Sequence, residues 1–514
     1  MVIEPKTMGE NSQKIGVILL VEHGIGIHVN LSHPHSECHL KGIKVSHNGN
    51  LSTELKQELI EHQHILNIFE DHKKEMEQLD HEYVNRVVFS KVENMIVYAE
   101  RGRVHAVNCM FSLNYLVKAC SLTIPAICID KEGEMSISDS EIKGNSAKST
   151  IGVICKLGSI VIENSVISDH QEGGVLAWGI KGNNSRLIKN KIQNNSVGIH
   201  AVGEEYSMKV CLNQVEGNAV GLKVGIGCEV EISRNSITDN GSGIEINSAF
   251  PTIYLNKINR QEENGIVSRT YKKMLCKATI KKNICIAGNR RNGILIEGEN
   301  NKTKVVENYL IGFNGEAGVK VAKEAFPLIL KNKVYKNHRE GILVIENTNA
   351  VIEKNVLSHN IDCNVALGGV NSHHTLVVEN SIANSPGPGI VLVEASSYIC
   401  RNDITGNFDG IALLNSRAQI RRNFISGNNN GVTCQDFSAP VLIENFLTRN
   451  ISIGLFFRDK SGLAPSRIHS NIIISNEINV GLENRHEDLV KELEASNTID
   501  GEVDQPTGLL CALM

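Results

Sequence analysis

Three stretches of the chain share one frame: VEISRNSITDNGSGIEI at Val230–Ile246, YICRNDITGNFDGIALL at Tyr398–Leu414 and AQIRRNFISGNNNGVTC at Ala418–Cys434. In each, an apolar residue is followed three places on by Asn, then by an apolar residue and a second Asn. A turn and a Gly-apolar-x-apolar strand close the unit. The first Asn falls at Asn164, Asn190, Asn213, Asn235, Asn256, Asn283, Asn308, Asn332, Asn355, Asn380, Asn402, Asn423, Asn445 and Asn471. The mean spacing is about 23.6 residues, inside the window that signals repeat architectures.

Each unit reads as short strands of period 2 separated by Asn and Gly turns, with no helix-length pattern between them. A unit of this kind cannot bury its apolar face alone, but stacking units at about 4.8 Å buries Ile, Val and Leu in a continuous interior. The expected fold is all-β, a right-handed parallel β-helix of about fifteen coils over residues 85–485. Asn108 and Asp139 are expected to take the first frame position in earlier, degenerate coils. The amides are expected to hydrogen-bond coil on coil as a ladder. Gly221, Gly243, Gly341, Gly389, Gly410, Gly431 and Gly454 are expected to supply positive φ at tight corners.

The ends depart from the frame. Residues 1–84 read as N-terminal strands plus one or two helices over 52–83, where Leu55, Leu59, Leu66, Phe69, Met76 and Tyr83 recur at helical spacing behind Ser52 or Thr53 as N-cap. Residues 486–514 read as a short capping helix in HEDLVKELEAS, whose Leu489, Val490 and Leu493 seal the last coil, and a flexible tail. That tail ends Cys511-Ala-Leu-Met, which satisfies the farnesylation rule. Its upstream acids and missing polybasic segment imply only reversible membrane contact through the lipid.

A net charge of -5 argues against a nucleic-acid partner held through phosphates. The thirteen cysteines show no CxxC spacing and the start lacks a secretory pattern, so a reducing, cytoplasmic setting is expected. In HPHSECH, residues His33, His35, Cys38 and His39 are competent zinc ligands in a spacing that fits no familiar site. No metal or cofactor is expected.

The segments RNSITDNGSGIEI and KNKVYKNHREGILV resemble the parallel β-helix repeats of the carbohydrate-binding and sugar-hydrolase superfamily. Within it they are most similar to the β-helix regions of F-box proteins and of Shc SH2-binding proteins. The resemblance implies a solenoid fold and either carbohydrate or protein recognition. The chain shows no F-box and none of the Asn-Thr-Asp, Asp-Asp or Gly-His-Gly motifs of polygalacturonases.

By alternation along the strand, the residue two places after each frame glycine should face outward on one sheet. Most are apolar, and Val267, Leu295, Leu343, Val391 and Phe456 mark an expected interaction stripe. His200, Lys223 and Glu245 should stack on three successive coils; they are the best catalytic candidates, although a solvated charge ladder is the simpler reading. The leading expectation is a non-enzymatic intracellular scaffold for a protein partner. The alternatives are a carbohydrate-binding or carbohydrate-active protein, and a ubiquitin-ligase adaptor.

Overall fold

The computed structural model describes residues 17–21, 27–30, 37–41, 43–47, 96–113, 124–145, 150–179, 185–204, 206–369, 375–458, 464–483 and 487–500. They fall in two compact units, 1–257 and 258–514, each wound from parallel strands. In the second unit one coil is made of Tyr398–Cys400, Asp403–Thr405 and Asp409–Leu414. All three pair in parallel with the corresponding strands of the next coil, Gln419–Arg421, Phe424–Ser426 and Asn430–Gln435. In the first unit Ser207–Cys211, Gln214–Glu216 and Val220–Val224 stack likewise on Glu229–Ser233, Ser236–Thr238 and Ser242–Asn247. Inward residues such as Ile399, Ile404, Ile411 and Leu413 are fully buried, so each coil contributes aliphatic side chains to a continuous core.

The frame asparagines occupy the corners, inside. In the first unit Asn190, Asn213, Asn235 and Asn256 form a column in which each Nδ2 donates to the next Oδ1. In the second the column runs Asn283, Asn308, Asn332, Asn355, Asn380, Asn402, Asn423, Asn445, Asn471 and Asn497. The other corner carries Asn195, Asn218 and Asn240 in the first unit. In the second it carries Asn289, Asn314, Asn337 and Asn360, then Asn407, Asn428, Asn450 and Asn476. Ser385 bridges the gap, its hydroxyl donating to Asn360 O and its amide to Asn407 Oδ1.

The residue just before a ladder position adopts positive φ: Lys189 at 55°, Lys331 at 56°, Arg401 at 56° and Arg422 at 55° are examples. A non-glycine residue there costs roughly 1–2 kcal/mol. Bonds made by the following Asn, each worth about 1 kcal/mol net, offset it. The first coils are read differently from the expectation. Asn108, Asp139 and Asn164 are themselves the positive-φ residues, at 54°, 49° and 48°. The ladder passes one residue later, from Cys109 N to Ser140 Oγ, Ser140 N to Ser165 Oγ and Ser165 N to Asn190 Oδ1.

The frame glycines also serve another purpose than expected. None of Gly221, Gly243, Gly341, Gly389, Gly410, Gly431 and Gly454 is among the glycines with positive φ. They are required by close approach: a Cβ on Gly221 would sit 2.6 Å from Gly243 O, and one on Gly431 would sit 2.2 Å from Gly454 O. The corner stacks backbone on backbone, and no side chain fits.

At the N-terminal end, Val17–Val21 pairs with Ile43–His47, which pairs with Met110–Leu113. Ile27–Asn30 and Glu37–Lys41 both lie on Val97–Val107. The expected helices over 52–83 lie outside the described residues, as do Cys511 and the tail. At the other end a ten-residue helix, Glu487–Ser496, buries Val490 and Leu493. The chain then adds Thr498–Ile499 to Ile472–Ile474. Asn497 joins the two, donating to Ile468 O and to the helix carbonyl of Leu493.

Asn332 shows what a ladder residue is worth. Its Nδ2 donates to Val305 O at 2.8 Å and Asn355 Oδ1 at 3.0 Å, and its Oδ1 accepts from Asn308 N and Nδ2 at 3.0 and 2.8 Å. Asn332→Ala would strand these buried groups, and a loss of roughly 3 kcal/mol is expected. Urea unfolding measures it, and a change within error would show that the ladder is passive.

His170 heads the second column in the first unit. Its amide donates to Asn195 Oδ1 and its Nε2 lies 3.3 Å from Ile142 O, while Nδ1 is buried with no hydrogen-bond partner. With Nε2–H as donor, protonation would place a second buried proton on Nδ1, and burial lowers the pKa from 6.5 to about 4. The unfolded chain binds that proton below pH 6.5 and the folded chain refuses it until about pH 4. Stability should therefore fall as pH drops across this window, by on the order of 3 kcal/mol. His170→Asn supplies the ladder's usual residue and should flatten this dependence, read from denaturation midpoints at pH 7 and 4.5. An unchanged slope would assign it to other groups.

Candidate functional site

The strand opened by each frame glycine has two faces. In Val220–Val224, Leu222 and Val224 are buried inward, so Lys223 faces outward. The expected stacking follows: Ile154, Leu176, His200, Lys223 and Glu245 are in direct register from coil to coil. His200 is nevertheless 2% exposed, while Lys223 and Glu245 are half-exposed. The structure thus brings the three candidates together on one outward column with the histidine enclosed.

In the second unit the corresponding column runs Val267, Leu295, Lys320, Leu343, Ala366, Val391, Ala412, Thr433 and Phe456. Its members are not equally available. Val267 and Leu295 are buried, and Leu343, Val391 and Phe456 are half-exposed. Beside Leu295, Glu297 holds Arg269 at 2.8 Å and Lys323 at 3.1 Å. Although partial burial pushes the other way, these two cations keep its carboxyl below the ordinary range. The accessible apolar stretch begins after this ion cluster, with Leu343 and Ile345, and continues through Ala366, Val391 and Val393.

A polar group that the sequence frame passes over lies near its far end. Asp409, the residue before Gly410, is 7% exposed. Its Oδ1 accepts from Asn430 Nδ2 at 2.8 Å and Thr433 Oγ1 at 3.1 Å. Burial raises its pKa, opposed by these two donors and by the Arg458 charge. Thr433 is in register with Phe456 on the next coil. The acid was visible in FDG, but a frame read from the glycine onward skips the position before it. Asn300, Lys302, Lys304, Phe326 and Leu328 line a shallow recess of about 480 Å³.

Residues 94–258 and 242–370 match the family model of the right handed beta helix region. The chain belongs to that right-handed β-helix family. Residues 329–502 of this β-helix also match the model of the periplasmic copper-binding protein NosD. Among the described residues no group of three or more His, Cys, Asp or Glu could hold a metal ion. The NosD match therefore brings no copper site to the described residues, and His33 and His35 lie outside them.

Among solved structures, the β-helix is similar to two mannuronan C-5 epimerase A-modules from Azotobacter vinelandii. AlgE4 is 14% identical over 74% of this chain and 89% of that one, with a TM-score of 0.30. AlgE6 is 13% identical over 74% and 91%, with a TM-score of 0.26. A DFA-IIIase variant from Arthrobacter chlorophenolicus A6 in complex with DFA-III is 9% identical over 96% and 90%, with a TM-score of 0.16. These likenesses concern the fold alone. No curated protein matches the sequence. No helix among the described residues is long and apolar enough to cross a membrane.

Asp409→Asn keeps an oxygen acceptor for Asn430 and Thr433 and removes the desolvated charge. The variant should unfold at higher denaturant than the parent at pH 7, with the difference vanishing in acid where Asp409 is protonated anyway. A variant no more stable than the parent at pH 7 would show that the buried charge is fully compensated.

Proposed function

We propose that this β-helix is a binding scaffold that docks a protein partner on the outward sheet of its second unit. The observation that carries the reading is the contiguous apolar surface of Leu343, Ile345, Ala366, Val391 and Val393, with Val393 45% exposed. These side chains project from a sheet held by backbone pairing on both sides, so the surface is rigid before a partner arrives. Contiguous exposed apolar area of this kind marks contact surfaces, and preorganisation lowers the entropic cost of binding. A farnesyl group on Cys511 would add reversible membrane contact, a proposal resting on the Cys-Ala-Leu-Met motif alone.

The test is affinity purification with the parent and with Leu343→Glu/Val391→Glu, both substitutions lying on the outward face. The double variant should fold with an unchanged melting temperature and lose a specific co-purifying protein at least tenfold, which is about 1.4 kcal/mol or more. Equal retention by both proteins would overturn the assignment of this face.

A second reading is favoured by the other end of the column. A carboxylate at Asp409 is held by an amide and a hydroxyl at Asn430 and Thr433, which sit one coil from the half-exposed ring of Phe456. Polar groups fixed beside an aromatic ring suit a sugar, as the resemblance to carbohydrate-recognising β-helices implies. Glycan-array binding abolished by Phe456→Ala and kept in Leu343→Glu/Val391→Glu would establish it in place of the first. Activity on a glycan lost in Glu245→Ala would instead locate chemistry at the His200, Lys223 and Glu245 column.

A further inference from the structure

We propose that the recess lined by Asn300, Lys302, Lys304, Phe326 and Leu328 binds a phosphate monoester, with the phosphate on the lysines and the organic part on Phe326. The site shares no residue with the apolar face of Leu343 and Val391 and does not depend on it.

Burial alternates through this strand. Asn301, Thr303 and Val305 are buried while Lys302 and Lys304 are exposed, so both lysines project from one face, about 6.6 Å apart along the strand. One coil earlier the exposed Lys277 stands beside Lys302, because Lys302 N donates to Cys276 O and Lys304 N to Ala278 O. Neighbouring strands put it about 4.8 Å away. One coil later Phe326 stands beside Lys302 and Leu328 beside Lys304.

Three ammonium groups thus crowd one patch, and like charges on neighbouring strands repel. Nearby cations escape this by holding carboxylates: Lys273 pairs with Glu299 at 2.7 Å, Lys282 with Glu307 at 3.5 Å and Lys323 with Glu297 at 3.1 Å. Among the described residues no carboxylate pairs with Lys277, Lys302 or Lys304. An anion from outside the chain would end the repulsion.

The donors select that anion. A guanidinium fork fits the two coplanar oxygens of a carboxylate, but this patch offers lysines alone, each a point charge on a flexible stem. A phosphate monoester carries nearly two negative charges at pH 7 and three acceptor oxygens, one for each ammonium. Phe326 is 49% exposed and Leu328 half-exposed, so the group that carries the phosphate meets apolar surface that inorganic phosphate cannot use. The basic patch is also short. Glu299 and Glu307 flank it in sequence and the whole chain carries -5, so a polyanionic strand gains little beyond its first phosphate.

Calorimetric titration of the full chain at low salt tests the proposal. Phenyl phosphate should fill one saturable site, at least tenfold tighter than inorganic phosphate or benzoate. Lys302→Gln/Lys304→Gln, with an unchanged melting temperature, should weaken phenyl phosphate at least tenfold, and Phe326→Ala should bring it down to the level of inorganic phosphate. A second readout needs no variant: phenyl phosphate should protect Lys302 and Lys304 of the parent from acetic anhydride, found by peptide mass, while Lys333, exposed on another sheet, reacts unchanged. Absence of saturable binding, benzoate as tight as phenyl phosphate, affinity kept in the double variant or in Phe326→Ala, or equal protection of Lys333 would overturn the proposal.

Discussion

Everything in this structure depends on the corner where a residue with positive φ is followed by a buried amide. The positive φ turns the chain from one sheet into the next. The amide then satisfies groups that the turn would leave stranded inside: Asn402, for example, donates to Val377 O and to Asn423 Oδ1 while its own backbone N–H reaches the same oxygen. Neither half stands alone. Without the amide the turn would enclose unpaired backbone, and without the turn the amide would point away from its neighbours in the column.

Much of this was legible in the sequence, because the period, the strands and the amide ladder leave a repeated mark. Two things were not. In the early coils the asparagine and aspartate belong to the turn and not to the ladder, since Ser140 and Ser165 can accept the same bond with a hydroxyl, so pattern matching on Asn slips by one residue. The glycine column looked like a demand for positive φ, whereas its cause is a carbonyl of the next coil where Cβ would be. A contact between coils cannot be read from one coil's letters.

The outward face was legible only in register. Alternation puts Leu343, Val391 and Phe456 in one column, in register through Ala366, Ala412 and Thr433, but it could not tell that Val267, Leu295 and His200 are buried, because alternation fixes the face a side chain takes and not its exposure. Asp409 was hidden for another reason: it stands before the frame's glycine, at a place where coils differ from one another, and variable places are where a repeat fold carries its individuality.

The columns of amides touch only the coil before and the coil after, and within each unit successive members of the first column are 21 to 26 residues apart. The fold therefore tolerates coils of unequal length while keeping the same handshake at the corner. A duplicated or deleted stretch of one coil would find matching partners at both cut ends, so the number of coils is open to change in a way that the length of a closed domain is not.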